Sequence, residues 1–415
     1  MNPRQTTWLP LVILGVLGLL AGLGRFLETS ETESQFGVVP ATIVVDNGAD
    51  RGPGTLRNAL FMAMRAQHHV AIELRIPQVD LQISLPPVAV AHGLRISGAL
   101  DVPTRIVNAN DKSNSTVLLH LVSENIELSN IVFDAAGTNG ISISAANVSI
   151  RDITVTNAAT GLSAFNAERL NIADSRFTDN TDGVRIEGST GSVSVSSSTF
   201  TNNSGSGLWV VFGIAPNESA STIVVHDNQF SGGRNGVTAA NTVIDLRGNR
   251  LSGFSMSGLT LLSSRANITE NRIVDSSGIG MHLAALTSSM VYQNEVGRNA
   301  AVGMLIVDAN GLQVDSNEIY GNGYGIVTVG RQPVTAALRN NTLSSQIIDG
   351  LIAIGDTPTI DGNHALRNGQ AGIRILDLLM PDSVLIPSTP RHMNNVLSDN
   401  GNDEILFGQY VVKAP

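Results

Sequence analysis

Two carboxylates, an arginine and a tryptophan in the middle of the chain carry the clearest candidate chemistry. Asp182, Arg185 and Glu187 fall within six residues, and Trp209 follows 24 residues after Arg185. Carboxylates can bind sugar hydroxyls or act as acid and base, and an aromatic ring can stack on a sugar. We therefore take Asp182, Arg185 and Glu187 as candidate catalytic residues and Trp209 as a candidate substrate-binding residue. Further candidates for substrate binding are Asn180, Thr238 and His282.

The spacing of the two carboxylates favours binding over cleavage. Glycoside hydrolysis needs carboxyl groups about 5 Å apart with retention or about 6.5–9.5 Å apart with inversion. Asp182 and Glu187 belong to one predicted strand and its preceding turn, where each residue advances about 3.3 Å, so we expect them to lie too far apart. The alternative is an ordinary surface ion pair beside an exposed tryptophan. Whether the protein is a lyase, a hydrolase, an epimerase or no enzyme stays open.

Composition excludes several classes of protein and site. The 415 residues contain no cysteine, which excludes disulfides, thiolate zinc sites and thiol catalysis. A formal net charge of −10 argues against a nucleic acid partner. No cofactor is expected, and the eight histidines form no zinc-type pair. Scattered aspartates leave calcium open as a ligand, because carboxylate oxygens bind it well.

The first 40 residues have the composition of an export segment and a linker. An apolar run covers residues 8–24, with Arg4 before it and Arg25 after it. Its length suits a signal peptide or a short membrane anchor, and a buried helix is the alternative. We divide the chain into a signal or anchor (1–27), an acidic linker (28–40), a cap with the first coils (41–114) and the repeats (115–415). The predicted location is outside the cytoplasm: a bacterial periplasm, a cell surface or the medium.

A glycine followed by an aliphatic residue recurs through most of the chain, at spacings of 21 to 29 residues. Each glycine begins a short stretch of alternating apolar residues, which predicts a strand. About 13 to 16 residues after most of these glycines, a second alternating apolar stretch is followed by Asn-x-apolar. A further asparagine, called the third-phase asparagine, stands just before the next repeat glycine in several repeats. The asparagines of the Asn-x-apolar positions predict an amide ladder. The repeat glycines are Gly140, Gly161, Gly183, Gly207, Gly236, Gly258, Gly280, Gly303, Gly325, Gly350 and Gly372.

Three short strands in about 22 residues predict one turn of a parallel β-helix, because helical repeats are longer. We expect a single right-handed β-helix of about 14 to 15 coils. One inward column of it is predicted to hold Phe133, Val155, Phe177, Phe200, Phe230 and Leu251. The third-phase asparagines are Asn157, Asn180, Asn203, Asn299, Asn322 and Asn368.

The Gly-Ile strands with their following Asn-x-Ile resemble the right-handed β-helix repeats of the pectin-lyase-like superfamily, especially NosD-like carbohydrate-binding and sugar-hydrolysis modules. The likeness spans about residues 115–400. It implies a substrate groove along the sheet that begins at the repeat glycines. The lyase, polygalacturonase and epimerase motifs of that superfamily are missing or incomplete, so the resemblance implies a fold more strongly than a reaction.

Residues 52–60 resemble the Gly-Thr-Leu-Arg-x-Ala element that precedes the first coils of pectate lyases. They predict a helix over residues 54–66 that caps the open end of the solenoid, with Arg57 in a structural role. At the other end, residues 376–395 form a proline-rich insert. We expect the insert to lie against the side of the last coils.

The residue two positions after each repeat glycine is predicted to point outward. Near the C-terminal end these residues form an apolar strip that includes Leu305, Val327 and Ile352. An exposed strip of this length is usually covered, so we expect an insert or terminal segment there, or else a protein or membrane contact. Two functions remain: an exported β-helix protein that binds or acts on a polysaccharide, or a structural, adhesive or accessory envelope protein without catalysis.

Overall fold

A computed structural model describes residues 39–83, 85–98, 101–109, 117–188, 191–212, 222–330, 335–381 and 384–412. The predicted signal or anchor, with its apolar run at residues 8–24, lies outside the described residues. Within the described part of the chain, no helix is long and apolar enough to cross a membrane.

The described residues form one short helix and 40 strands, which makes the protein all-β. The helix is α1 (Leu56–Ala63). The first twenty strands are β1 (Thr42–Val45), β2 (Val70–Leu74), β3 (Gln78–Leu81), β4 (Val88–Val90), β5 (Leu94–Gly98), β6 (Thr104–Asn108), β7 (Val117–Asp134), β8 (Asn139–Thr156), β9 (Thr160–Phe165), β10 (Arg169–Ala173), β11 (Arg176–Thr178), β12 (Asp182–Glu187), β13 (Ser192–Ser196), β14 (Thr199–Thr201), β15 (Ser206–Val211), β16 (Thr222–His226), β17 (Gln229–Ser231), β18 (Asn235–Ala240), β19 (Val243–Arg247) and β20 (Arg250–Ser252). The others are β21 (Ser257–Leu262), β22 (Arg265–Thr269), β23 (Arg272–Val274), β24 (Ile279–Ala284), β25 (Met290–Tyr292), β26 (Glu295–Gly297), β27 (Val302–Val307), β28 (Leu312–Asp315), β29 (Glu318–Tyr320), β30 (Tyr324–Val329), β31 (Ala336–Arg339), β32 (Thr342–Ser344), β33 (Leu351–Ile354), β34 (Thr359–Asp361), β35 (His364–Leu366), β36 (Ile373–Leu379), β37 (Leu385–Ile386), β38 (Arg391–Met393), β39 (Val396–Ser398) and β40 (Leu406–Val411).

Each turn of the chain contributes one strand to each of three parallel sheets. The glycine sheet, whose strands up to β36 contain a repeat glycine or begin just after one, includes β9, β12, β15, β18, β21, β24, β27, β30, β33, β36 and β40. The second sheet includes β10, β13, β16, β19, β22, β25, β28, β31, β34 and β38. The third sheet includes β11, β14, β17, β20, β23, β26, β29, β32, β35 and β39. The long strands β7 and β8 bend through all three sheets.

The predicted fold is confirmed as a β-solenoid, and it has about 12 turns. The expected number was slightly higher, at 14 to 15. The difference lies at the ends, where β1, β2 and β3 precede the first complete turn and β40 follows the last one. Such partial turns add strands to one or two sheets without closing a coil.

The predicted inward column of the third sheet is confirmed residue by residue. Phe133 pairs with Val155, Val155 with Phe177, and the register continues to Leu251. The rings of Phe177 and Phe200 stack with centroids 5.2 Å apart, and those of Phe200 and Phe230 with centroids 4.5 Å apart. These side chains are buried, so the hydrophobic core is a set of parallel columns along the solenoid axis.

The predicted amide ladder is also present, and a second one accompanies it. In the longer one, the side-chain nitrogen of each asparagine donates to the side-chain oxygen of the next, at 2.9 to 3.1 Å. Its members are Asn228, Asn249, Asn271, Asn294, Asn317, Asn341, Asn363 and Asn395. A second ladder joins Asn180 to Asn203 and, farther along, Asn299 through Asn322 to Gln346. Both ladders satisfy buried backbone groups at the corners.

The ladder asparagines are not the left-handed residues of the turns. Positive φ occurs one position earlier, for example at Asp227 (φ 56°), Glu270 (φ 57°) and Gln293 (φ 54°). Asn157, one of the third-phase asparagines, is such a turn residue with φ 55°. Its successor Ala158 occupies the ladder position, where its N–H donates to Asn180 Oδ1 at 2.8 Å.

The helix predicted over residues 54–66 is present as α1, and Thr55 is its N-cap. Its buried face consists of Leu56, Ala59, Leu60 and Ala63. Arg57 has the structural role expected of it, since its guanidinium bonds to Asp50 Oδ1 at 2.6 Å and to the carbonyl of Ile83. Whether α1 serves as the cap of the solenoid stays a prediction.

Candidate functional site

The outer face of the glycine sheet carries the predicted outward column without a break. Strand register places each of its members opposite the next, as Ser163 opposite Arg185, Arg185 opposite Trp209 and His282 opposite Leu305. The column is Ser142, Ser163, Arg185, Trp209, Thr238, Thr260, His282, Leu305, Val327, Ile352 and Arg374.

This column and its neighbours divide into two regions. The polar region consists of the outward residues of the glycine sheet from Ser142 to His282. The apolar region consists of Val302, Leu305, Val307, Tyr324, Val327, Val329, Ile352 and Ile354.

Asp182, Arg185, Glu187 and Trp209 form one cluster on adjacent strands of the polar region. Arg185 Nε donates to Glu187 Oε1 at 2.6 Å, and its Nη1 lies 4.0 Å from Asp182 Oδ2. The guanidinium carbon of Arg185 lies 3.9 Å from the centroid of a ring of Trp209, a cation–π contact. All four side chains are partly exposed, so the cluster presents donors, acceptors and aromatic surface together.

Both carboxylates of this cluster already have protein partners. Asp182 Oδ1 accepts the backbone N–H of Ser206 at 2.9 Å, which ties the start of β12 to that of β15. Glu187 is paired with Arg185. The expectation that the strand spacing keeps the two carboxylates far apart is wrong, because both side chains turn toward the one guanidinium of Arg185. Arg185 lies between them, so the cluster is arranged as a hydrogen-bonding surface. The catalytic assignment of Asp182, Arg185 and Glu187 stays a prediction.

The other predicted substrate-binding residues differ in how near they lie to this cluster and in how far they reach the surface. Thr238 lies on the strand after Trp209, and its hydroxyl is 3.2 Å from that of Ser206. His282 lies two strands beyond Thr238, and burial lowers the pKa of its imidazole. Asn180 is only 2% exposed and belongs to the second amide ladder. Its amide is therefore engaged in holding the coil, and it reaches the surface least of the candidates.

The apolar region is partly covered, as expected of an exposed strip. Met380 and Ile386 of the insert, and Val412 after the last strand, pack against a buried cluster of Val327, Ile352, Ile354 and Leu378. The insert is shorter than predicted, because β36 continues to Leu379 before β37 pairs antiparallel with it. Ser388 fixes the far end of the insert by donating to the carbonyl of Asp356 at 2.9 Å.

A cleft of about 730 Å³ remains between the apolar region, the end of β36 and the last strand. Its polar residues include Asp349 and Arg374, whose side chains bond at 2.8 and 3.0 Å. Asp349 raises the pKa of Arg374 by accepting these hydrogen bonds. Arg374 belongs to the outward column, whereas Asp349 is not among the predicted site residues, although its position directly before Gly350 was a usable signal: Asp182 holds the same position before Gly183.

Within the described residues, no group of three or more His, Asp or Glu side chains is placed to hold a metal ion.

Comparisons with known proteins agree with this geometry. A family model described as a right-handed β-helix region matches residues 93–243 and 212–357. The chain belongs to the right-handed β-helix family. The pectin-lyase-like fold expected from the repeats is thereby confirmed.

Solved structures share the β-helix at low sequence identity. The catalytic unit of a GH87 α-1,3-glucanase from Streptomyces thermodiastaticus is 14% identical, with a TM-score of 0.50 over 88% of this chain and 70% of that one. The AlgE4 A-module of a mannuronan C-5 epimerase from Azotobacter vinelandii is 11% identical, with a TM-score of 0.46 over 88% and 98%. PfbA, a surface adhesin of Streptococcus pneumoniae, is 12% identical, with a TM-score of 0.44 over 89% and 91%. A search of curated protein sequences found no match.

Proposed function

We propose that the protein binds a polysaccharide along the polar region of the glycine sheet and does not cleave it. The observation that carries this proposal is the cluster of Trp209, Arg185, Asp182 and Glu187 on a partly exposed, continuous sheet face. Successive strands of a sheet repeat about every 4.8 Å, so outward side chains form rows along the axis. A long chain of sugars fits such a surface better than a compact molecule does.

The engagement of both carboxylates favours binding over catalysis. A glycosidase acid must protonate a leaving group, and its partner must reach the sugar or a water. Asp182 instead accepts a backbone N–H and Glu187 pairs with Arg185. The same contacts also suit the second candidate function, an adhesive or accessory envelope protein whose face binds no glycan. Support for the polysaccharide also comes from the fold, which the catalytic unit of an α-1,3-glucanase shares.

The proposal includes export from the cytoplasm. The apolar run at residues 8–24 follows Arg4, a pattern typical of a signal or an anchor. Fractionation of cells that make the full chain should place it outside the cytoplasm. The mass of the recovered chain should then distinguish a cleaved signal from a retained membrane anchor.

The test uses the full chain and a panel of neutral and acidic polysaccharides, with and without calcium. Binding is measured by affinity electrophoresis, and new reducing ends are measured in the same samples. We expect retardation by at least one polysaccharide, no new reducing ends, and about tenfold weaker binding in Trp209→Ala, a loss typical of one aromatic contact. Tyr292→Ala is the control, because Tyr292 is a half-buried aromatic residue on the second sheet.

Two results would overturn the proposal in different ways. If no polysaccharide binds, or if Trp209→Ala binds as the wild type does, the polar region is not a glycan site and the adhesive or accessory function takes its place. If reducing ends appear and vanish in Asp182→Asn or Glu187→Gln, the protein is a depolymerase that uses these acids.

A further inference from the structure

We infer that the cleft over the apolar region is a second binding site, for a neutral amphiphile with an alkyl chain and a polyhydroxyl head. This inference does not depend on the proposed polysaccharide site, which lies on other strands of the same sheet. Three properties of the cleft support it: its shape, the separation of polar from apolar lining along the strands, and the pairing of its charges.

The cleft is concave and large enough for a small molecule. Its volume of about 730 Å³ lies within the range of about 300–1,000 Å³ that is typical of small-molecule sites. The floor is the sheet face at Val327 and Ile352, and the walls are Met380 of the insert and Tyr410 of β40. A flat protein surface would leave this depression empty, whereas a flexible chain can fill it.

The lining changes from polar to apolar along the strand direction. The polar lining residues Tyr324, Asp349, Gln370 and Arg374 all lie at the strand starts, beside the apolar Val302 and Ile348. At the strand ends, the cleft is lined by Val329, Ile354, Leu376, Leu378 and Val412. Strand β30 alone covers this change, since it runs from Tyr324 to Val329. Six residues of strand extend over about 17 Å, so a ligand in the cleft meets two different environments at its two ends.

The charges at the polar end compensate each other. Arg374 makes two hydrogen bonds to Asp349, whose side chain is 3% exposed, and a third to Gln370 Oε1 at 3.2 Å. An acid or an ammonium head would meet a paired, neutral site and would lose its hydration without gaining a counter-ion. A head with several hydroxyl groups can instead exchange hydrogen bonds with Tyr324, Gln370 and the edge of Arg374.

The apolar end of the cleft indicates that the other part of the ligand is an alkyl chain. The side chains at this end are aliphatic, and Ile354 and Leu378 are 7% and 3% exposed. Each CH2 group that moves from water into such surroundings contributes about 0.8 kcal/mol. An alkyl chain lying along the strands would therefore gain affinity steadily with its length, until it reaches the end of the cleft.

Calorimetry of the full chain with hexyl, octyl and decyl glucoside, each below its micelle concentration, tests the inference. We expect saturable binding with one molecule per chain and about 14-fold tighter binding for each two CH2 groups, the equivalent of about 1.6 kcal/mol. Glucose alone should not compete. Decanoate and decyl trimethylammonium should bind at least tenfold more weakly than decyl glucoside.

Val329→Glu places a charge at the apolar end and should weaken octyl glucoside binding at least tenfold. Val307→Glu is the matched control, because Val307 pairs with Val329 in the adjacent strand and lies outside the cleft. Met380→Glu, on the insert, repeats the test from the opposite wall in case Val329→Glu fails to fold. Circular dichroism establishes that each variant retains the β-helix.

The inference is overturned if the glucosides bind without saturation or if their affinity is independent of chain length. It is also overturned if Val329→Glu and Met380→Glu both bind octyl glucoside as Val307→Glu does. Tighter binding of decanoate than of decyl glucoside would overturn the assignment of a neutral head. None of these results bears on polysaccharide binding at Trp209, so the two proposals fail separately.

Discussion

The polar and apolar regions of the glycine sheet lie on the same face and share one strand register, yet they present opposite chemistry. From Ser142 to His282 the outward residues are mostly polar and uncovered. From Leu305 to Ile354 they are mostly aliphatic and partly covered by the insert and by Val412. The chemistry of the face therefore varies while the strand register stays the same, because strand pairing, the inward columns and the amide ladders hold the coil beneath both regions.

Ladder asparagines beneath the polar region and beneath the apolar region should stabilise the fold equally. The side chain of Asn203, beneath the polar region, makes three ladder hydrogen bonds. The side chain of Asn368, beneath the apolar region, also makes three. We expect Asn203→Ala and Asn368→Ala to lower the free energy of unfolding equally, by about 4 kcal/mol each, since buried partners lose their hydrogen bonds. Urea unfolding monitored by circular dichroism measures this.

Unequal losses in that experiment would mean that the scaffold itself differs between the two regions. Asn157→Gly serves as its control, because Asn157 is an exposed turn residue outside the ladder whose positive φ suits glycine.

The second prediction concerns the turn that anchors the insert over the apolar region. Burial raises the pKa of Asp356 to about 6, and the nearby Asp308 carboxylate adds to this. A raised pKa means that the folded state holds the proton more tightly than the unfolded state, where the pKa is about 3.9. The free energy of unfolding should therefore fall as the pH rises from about 4 to about 6, and stay low above that.

Asp356→Asn removes the ionising carboxyl group and with it the fall in the free energy of unfolding at high pH. We expect the variant to be more stable than the wild type by up to about 3 kcal/mol at pH 8 and equally stable near pH 3.5. Thermal melts at the two pH values test this, with Asp361→Asn on the second sheet as the control. A stabilisation that is the same at both pH values would contradict the assignment.

The third prediction compares two members of the outward column. Ile352 lies under the insert and is 7% exposed, whereas Thr260 is in the uncovered polar region. Ile352→Ala should lower the free energy of unfolding by about 2 kcal/mol, at the low end for a buried aliphatic residue. Thr260→Ala should lower it by less than about 0.5 kcal/mol. Equal losses in denaturant titrations would show that the cover does not pack on Ile352.

Only a small effect on stability is expected at Arg185. Its side chain is 39% exposed, and exposed ion pairs contribute about 1 kcal/mol or less. Arg185→Met should therefore unfold within about 1 kcal/mol of the wild type while its affinity for the bound polysaccharide falls several-fold. A large loss of stability, measured in the same titrations, would make Arg185 a structural residue instead.

The sequence was sufficient to predict the coil because its signals repeat. The phenylalanine column, the ladder asparagines and the outward column each recur at a fixed place in the repeat, so one reading could be checked against its neighbours. Asn157 has the spacing of the second-ladder asparagines but serves the turn, one residue before the ladder position. The number of turns was overestimated at the two ends, where the repeat is incomplete.

Local contacts of the candidate site were less predictable, because they occur once. That Asp182 accepts the N–H of Ser206 depends on the offset between two particular strands. The pair of Asp349 and Arg374 joins residues 25 positions apart, and the insert that walls the cleft has no counterpart in other coils. A repeat period contains no information about such single events.

The most direct test of the central claim measures one polysaccharide and one alkyl glucoside against the same three proteins: the wild type, Trp209→Ala and Val329→Glu. We predict that Trp209→Ala binds the polysaccharide about tenfold more weakly and keeps its affinity for the glucoside, and that Val329→Glu does the reverse. Loss of both ligands in either folded variant, or retention of both in each, would contradict the claim that one sheet face carries two separate sites.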